Sequence, residues 1–211
     1  MPKVLSTESI SQYRQEGYFS PVQIMSADET AELRSQLEKF ETNQGHPIEG
    51  FQRTKNHLLF KWIDELMRNP TLLDAVEDLI GENILCWNTV FWIKEANSPS
   101  YVGWHQDLQY WGLDNNELVS VWFALSPATI DSGCMNVIPG SHKQQLGHRE
   151  TYHENNMLTR GQSIEDVDEA QAQNLEVDTG QAALFAFRIA HASHPNNSNA
   201  IRTPLTILKP P

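Results

Sequence analysis

The stretch ILCWNTVFWIKE, residues 84–95, marks where the hydrophobic pattern of this chain changes from helical to extended. β-branched and aromatic residues dominate the stretch, and such residues are enriched in strands. Five similar short segments follow, each bounded by turn-forming residues: 101–106, 118–126, 134–140, 183–189 and 203–208. Many short strands in succession predict a sandwich or a barrel.

Residues 1–82 predict a mostly helical flank before these strands. Helical spacing and cap motifs indicate helices beginning near Thr7, Ser26, Leu58 and Asn69. Ser26–Glu29 matches a capping box, and the helix that follows it should end before Asn43. Gly17 and Gly81 are suited to end the first and last of these helices, because glycine adopts the left-handed conformation of a helix C-terminus.

A length of 211 residues fits one domain, and no interdomain linker is visible. We therefore expect a single domain over 1–211, mainly β with flanking N-terminal helices and a β core over 83–211. A polar stretch at about 141–179 interrupts this core. Loops of that length in compact domains are usually lids or disordered segments.

The charge of the chain excludes some partners. Lys plus Arg number 15 against 27 Asp plus Glu, a net charge of −12, and so negative a surface repels nucleic acid and anionic lipid. The first 25 residues lack the apolar segment of a secretion signal, and no stretch approaches the roughly 18 apolar residues that cross a membrane. Cys86 and Cys134 lack a CxxC partner. We expect a cytoplasmic protein, a monomer or homodimer, with a small-molecule substrate.

His105 and Asp107 form the first candidate site. Residues i and i+2 of a strand project from the same face, so both side chains can point into a barrel, although one H-x-D tripeptide is weak evidence. His191 follows a later apolar segment, and two histidines with one carboxylate form the facial set of non-haem Fe(II). Arg202, among β-forming residues, could clamp a carboxylate. Iron beside such a clamp indicates 2-oxoglutarate.

The chain resembles the phytanoyl-CoA dioxygenase family from about Lys55 to Arg202. Four motifs match that family in the same order: WHQDLQYW (104–111), VWFAL (121–125), GCMNVIPGSHK (133–143) and HASHPNNSNAIR (191–202). The resemblance implies a double-stranded β-helix, also called a jelly roll or cupin-like fold. It also implies a dioxygenase that depends on Fe(II), 2-oxoglutarate and molecular oxygen.

Carried over by position, the resemblance implies three iron ligands: His105, Asp107 and His191. It places four residues around 2-oxoglutarate: Arg202, Ser193, Trp122 and Lys55. Ser193 and Arg202 would hold the distal carboxylate, Trp122 would line the pocket, and Lys55 is the family's basic residue from the helical half. Only nine residues follow Arg202, whereas family members usually continue further. The barrel rim is therefore expected to be more open or covered by a second subunit.

Other polar residues near the motifs are harder to assign. His194 competes with His191 as a ligand, and the family register favours His191. We expect His142 to fix a turn, and His148 in the polar stretch to be solvated. Lys94 and Gln106 lie on candidate strands near the site, but the pattern does not assign their faces; His46, His57 and His153 are not expected to be ligands.

We predict hydroxylation of a small soluble metabolite, with release of succinate and carbon dioxide. The carboxylate of Asp107 favours hydroxylation, because related halogenases carry a small residue in its place. An acyl-CoA is disfavoured, because its phosphates need a cluster of basic residues. Desaturation, cyclisation and epimerisation at the same iron remain open. So do a cupin-like metal protein that does not use 2-oxoglutarate and a β-sandwich binding module with structural histidines.

Overall fold

The computed structural model describes residues 2–108, 117–158 and 161–209. Its helices in these ranges are α1 (Thr7–Glu16), α2 (Ala27–Gln44), α3 (Lys61–Met67) and α4 (Pro70–Ile80). Its strands in these ranges are β1 (Tyr18–Gln23), β2 (Asn88–Phe91), β3 (Val102–His105), β4 (Val119–Ala124), β5 (Met135–Val137), β6 (Arg149–Glu150), β7 (Gln162–Ser163), β8 (Gln173–Leu175), β9 (Gln181–Ala186), β10 (His191–Ser193) and β11 (Pro204–Lys209). None of the described helices is both long and apolar enough to cross a membrane.

Two antiparallel sheets form the core of the molecule. The larger has the strand order β1-β9-β4-β11-β2, and the smaller has the order β3-β10-β5-β8. Side chains of both sheets share one apolar cluster, to which the larger sheet gives Trp122 and Phe185 and the smaller gives Met135 and Leu175. The sheets therefore pack face to face, as in the jelly roll expected from the sequence.

The helices cover the outer face of the larger sheet. Along β4, Val121 and Phe123 pack in the cluster that contains the helix residues, whereas Trp122 and Ala124 pack between the sheets. β4 is thus buried on both faces, which explains why its sequence, apart from Ser120, is apolar rather than alternating. The site lies on the inner face, between the sheets.

The helix caps follow the sequence signals, with small shifts. Ser26 and Glu29 form the predicted capping box, and Asn69 caps α4. The predicted cap at Thr7 is wrong by one residue, because the hydroxyl of Ser6 accepts the bond from the backbone N–H of Ser9.

Two other helix boundaries differ from those expected. α2 continues through Asn43 to Gln44 and ends at Gly45, whose φ of 81° suits glycine. The helix expected from Leu58 begins only at Lys61. A 3-10 turn at Asn56–Leu58 precedes it and leaves Leu58 exposed. The helical spacing of apolar residues therefore predicted a buried position for Leu58 incorrectly.

β1 was not predicted, and it lies inside the flank expected to be mostly helical. It pairs with β9 at the edge of the larger sheet. Its sequence, YFSPVQ, contains Pro21. Proline donates no backbone hydrogen bond and is confined in sheets to edges, strand starts and bulges. A short edge strand of this kind lacks the alternation that sequence analysis needs.

The polar stretch at 141–179 folds against the smaller sheet in its described part. β8 pairs with β5 at the sheet edge, and the indole N–H of Trp104 donates to the carboxylate of Glu169 at 2.8 Å. The backbone N–H of Ile164 donates to the carbonyl of Trp104 at 2.7 Å. This stretch therefore buttresses β3, the strand that carries His105.

Candidate metal centre and co-substrate pocket

The pairing of β3 with β10 brings the predicted ligands together. His105 at the end of β3 is the register partner of His191 at the start of β10. Asp107 follows two residues later, and its Oδ1 lies 3.4 Å from Nε2 of His105 and 3.9 Å from Nε2 of His191. One possible ligand atom from each of the three residues lies within 4.8 Å of the others.

Backbone carbonyls orient both imidazole rings. Nδ1 of His105 lies 2.9 Å from the carbonyl oxygen of Gly103, and Nδ1 of His191 lies 3.1 Å from that of Ile189. A carbonyl only accepts, so Nδ1 carries the proton and Nε2 presents its lone pair. Two lone pairs and a carboxylate oxygen thus converge, and a divalent cation fits this donor set.

The protonation states suit a metal at neutral pH. Burial, aided by the neighbouring His105, lowers the pKa of His191 to about 4. Burial acts to raise the pKa of Asp107, but His191 and His105 outweigh it and leave that pKa below its usual value. His191 is therefore neutral and Asp107 ionised, the forms in which these side chains bind metals.

A cavity of about 520 Å³, partly open to solvent, contains this donor set. Six of the seven site residues expected from the sequence line it: His105, Asp107, Trp122, His191, Ser193 and Arg202. Lys55 is not among the lining residues. Its side chain is exposed, and its ammonium lies 5.9 Å from the centre of a ring of Trp87. The role expected for Lys55 therefore stays a prediction.

Arg202 is a buried cation in the cavity wall. Only 1% of its surface is exposed. Its Nη1 donates to the carbonyl of Gly133 and its Nη2 to that of Trp92 at 2.9 Å. Its Cζ lies 5.5 Å from the ring centre of Trp122. Burial lowers the pKa of Arg202 to about 10, so it stays charged at neutral pH.

The Nε of Arg202 is buried and has no hydrogen-bond partner among the described residues. An unsatisfied buried donor costs free energy. A carboxylate in the cavity would supply the missing acceptor, with two oxygens that match the geometry of a guanidinium. The residues present therefore fit a carboxylate ligand such as 2-oxoglutarate.

Two other histidines lie outside the donor set, as expected. His194 is exposed, so the structure puts His191 and not His194 beside Asp107. His142 lies in a 3-10 turn, but its ring contacts α1 and not the turn: its Nε2 lies 3.2 Å from the carbonyl oxygen of Arg14.

The solvated side chain expected for His148 was wrong. Its ring is half-buried, and its Nε2 accepts the backbone N–H of Gln106 at 3.0 Å. The Gln106 side chain points away from the donor set: its amide donates to the carbonyls of Gln144 and Arg188, and its oxygen accepts from the N–H of Leu146. No local pattern signalled either contact, because both partners lie in distant loops.

Comparison with known proteins gives the family. The family model described as phytanoyl-CoA dioxygenase (PhyH) matches residues 13–203. A relative from Stutzerimonas stutzeri, named "Probable alpha-ketoglutarate-dependent hypophosphite dioxygenase", is 28% identical over 95% of this chain and 77% of its own length. The peroxisomal phytanoyl-CoA dioxygenase of Bos taurus is 30% identical over 68% of this chain and 45% of its own length. The solved structure "non-heme monooxygenase; ThoJ apo" has a TM-score of 0.83 and 31% identity, covering 95% of this chain and 76% of that chain.

The fold and the site thus define a non-haem dioxygenase that depends on Fe(II), 2-oxoglutarate and molecular oxygen, as the sequence indicated. The chain belongs to the phytanoyl-CoA dioxygenase family. It spans less than half the length of the bovine relative and about three quarters of the bacterial one.

Proposed function

We propose that this chain oxygenates a small soluble molecule and converts 2-oxoglutarate to succinate and carbon dioxide. In this proposal His105, Asp107 and His191 hold Fe(II). The observation that carries it is the convergence of two imidazole nitrogens and a carboxylate oxygen within 4.8 Å, in the cavity that also contains a buried guanidinium. Two histidines and one carboxylate are a ligand set typical of non-haem Fe(II) oxygenases.

When bound, the iron and its co-substrate supply the oxidising chemistry, and the protein supplies binding, orientation and a dry cavity. Arg202 would hold the distal carboxylate through its unpaired Nε–H and the free hydrogens of its two terminal nitrogens. Trp122 would fix the plane of the guanidinium by cation–π contact. Apolar lining residues such as Val102 and Phe185 would exclude water.

Hydroxylation is the outcome we favour, because the Asp107 carboxylate occupies the third protein position beside the two histidines. Desaturation, cyclisation and epimerisation would use the same residues. They differ in the fate of the substrate, so product analysis distinguishes them.

The charge of the cavity wall supports a substrate without several phosphates. Arg202 is the one Lys or Arg among the described lining residues. The phosphates of an acyl-CoA would need more cations than this. A second candidate is a small phosphorus oxyanion, supported by the bacterial relative whose name carries hypophosphite and whose match covers 95% of this chain.

The proposal is tested by anaerobic titration of the purified protein with Fe(II) and 2-oxoglutarate, following the metal-to-ligand absorption band. Air is then admitted, and succinate is measured with each candidate substrate, including hypophosphite with phosphite as product. His191→Ala should abolish the band and succinate formation. His194→Ala, three residues away on an exposed side chain, is the matched control and should retain both.

Three results would contradict the proposal in different ways. Iron binding without any effect of 2-oxoglutarate would favour a cupin-like metal protein, particularly if Arg202→Ala kept full activity on its substrate. Absence of stoichiometric iron binding would favour a binding module with structural histidines. If His191→Ala and His194→Ala lost the absorption band and succinate formation to the same extent, His191 could not be assigned as the third ligand.

A further inference from the structure

Lys94 is a second buried basic residue next to Arg202, and the site described above does not use it. The two residues are antiparallel bridge partners, and each backbone N–H donates to the other's carbonyl at 3.0 Å. Opposite residues on neighbouring strands project from the same face. Only 1% of the surface of Lys94 is exposed, yet Lys94 is not among the cavity lining residues.

The ammonium of Lys94 is directed at the residues that follow the third ligand. Its Nζ lies 2.7 Å from Oγ of Ser193 and 3.1 Å from the carbonyl oxygen of Ser193. It also donates to the carbonyl of His194. A charged lysine has three N–H donors, so these three acceptors use all of them and leave none for a ligand in the cavity.

The hydroxyl of Ser193 is oriented by this contact. Because its oxygen accepts a hydrogen bond from Lys94, its own hydrogen is directed elsewhere. Ser193 lines the cavity beside Arg202, so the cavity is the place where that hydrogen can find an acceptor.

Among the described residues, Lys94 and Arg202 are two neighbouring basic side chains without an acidic partner, and this favours binding of an anion beside them. Burial and the charge of Arg202 lower the pKa of Lys94 to about 6. In the described ranges of the chain no salt bridge joins either cation to an acid. A carboxylate bound at Arg202 would place a negative charge beside Lys94, and this would raise the pKa of Lys94 again. Ligand binding and protonation of Lys94 are therefore coupled.

We propose that Lys94 is a positioning residue for the co-substrate, which acts through Ser193 by presenting its hydroxyl as a donor to the carboxylate held by Arg202. This inference rests on the proposed use of 2-oxoglutarate. Lys94 itself does not touch the ligand. It fixes the donor, contributes positive charge and holds the backbone of Ser193 and His194 in place.

A double-mutant cycle tests the role of Lys94. The dissociation constant of 2-oxoglutarate is measured by anaerobic calorimetry on Fe(II)-loaded protein for the native chain, Ser193→Ala, Lys94→Met and the double variant. We expect each single substitution to weaken binding by about tenfold, the loss of one hydrogen bond to a charged group. The double variant should lose less affinity than the two single losses combined, since residues that act as a unit are not additive.

Lys209→Met is the matched control. Lys209 is also buried, and burial likewise lowers its pKa, but its Nζ contacts the carbonyl of Met67 and not the cavity. This variant should bind 2-oxoglutarate like the native chain. If Lys94→Met does not fold, Lys94→Gln, which keeps an N–H donor but cannot be protonated, takes its place in the measurement of proton uptake.

Proton uptake gives a readout that a purely structural lysine would not change. Calorimetry at pH 7.5 in buffers of different ionisation enthalpy should show protons taken up when 2-oxoglutarate binds, and none in the Lys94 variant. The other titratable groups that shift the pKa of Lys94 are Arg202 and Cys134. Their pKa values, about 10 and about 11, keep their charges constant at this pH.

The outcomes separate this inference from the proposed function. If the native chain binds no 2-oxoglutarate, both are wrong. If the native chain binds and Arg202→Gln does not, but Lys94→Met matches the native chain, only the role of Lys94 is wrong. Additive losses in the cycle, or native binding without proton uptake, would also overturn that role.

Discussion

Each site histidine donates its Nδ1 proton to a carbonyl two residues before it, at Gly103 and at Ile189. The same local arrangement therefore sets the tautomer of both rings on two different strands. Because the acceptors are backbone atoms, the orientation depends on strand geometry and not on a neighbouring side chain.

The buried His191 should make the metal-free protein sensitive to acid. The pKa of His191 is 6.5 in a typical unfolded chain and about 4 in the fold. Between these values the unfolded chain binds more protons, so the free energy of unfolding falls as the pH falls from 6.5 to 4. The lowered pKa of Asp107 acts in the same direction at still lower pH.

Thermal unfolding across that pH range measures this effect. The unfolding midpoint of the metal-free native chain should fall more steeply than that of His191→Gln, which has no imidazole to protonate at this position. Parallel slopes for the two proteins would show that His191 is not buried in its neutral form.

At the scale of elements, the polar stretch at 141–179 touches the metal-binding turn through His148. Replacing His148 by alanine leaves the backbone N–H of Gln106 without its acceptor, at a cost of about 1–3 kcal/mol. Because Gln106 lies between two of the proposed ligands, we expect weaker Fe(II) binding as well as a lower unfolding midpoint. Metal titration and thermal unfolding measure the two effects.

His153→Ala is the control for this prediction, since His153 lies in the same stretch with an exposed side chain. His153→Ala should change neither the Fe(II) affinity nor the unfolding midpoint appreciably. If both variants lose the same metal affinity, the effect comes from the stretch as a whole and not from the bond to Gln106.

The turn before β5 supports Arg202 and requires glycine. Gly133 has a φ of +69°, and a Cβ there would meet the carbonyl oxygens of His194 and Pro195, the latter at 2.7 Å. Its own carbonyl accepts a hydrogen bond from Arg202. Gly133→Ala should therefore cost about 2–4 kcal/mol of stability and raise the KM for 2-oxoglutarate, as measured by denaturant unfolding and steady-state kinetics.

Gly45→Ala separates steric contact from backbone strain. Gly45 has a φ of +81°, but a Cβ there would meet nothing within 4 Å. We expect a loss of roughly 1 kcal/mol from the left-handed conformation alone, with an unchanged KM. An equal KM change in both variants would refute the link between Gly133 and Arg202.

At the scale of the whole molecule, the net charge of −12 opposes the approach of a dianionic co-substrate. Salt screens this long-range repulsion, since the Debye length falls from about 30 Å at 0.01 M to about 8 Å at 0.15 M. The KM for 2-oxoglutarate should therefore fall, by about twofold, over this range of salt. Buried Arg202 is screened much less, so kcat should change little.

Initial rates at varied 2-oxoglutarate and NaCl concentrations measure this effect, with sucrose at matched osmolarity as the control. A KM that rises with salt would mean that local attraction by the buried cations outweighs the charge of the surface.

The sequence named candidate residues for this site, but its strand prediction missed specific elements. His105, Asp107, His191, Ser193 and Arg202 all line the cavity, and their roles there stay predictions. The short strands β1, β6, β7, β8 and β10 were not among the predicted segments; β1 and β8 are edge strands with no clear alternation. The contacts of Lys94 and His148 were missed because the partners of each lie far away in the chain.

The sequence alone predicted the kind of strands, a candidate donor set and the family, since these depend on residue types at short, fixed spacings. The folded structure was needed to show that His191 lies beside Asp107, that Lys94 contacts Ser193, and that Arg202 keeps a buried unpaired donor. These facts depend on the register of β3 against β10 and on burial between the two sheets. Register and burial arise from packing between distant segments, which a local pattern does not encode.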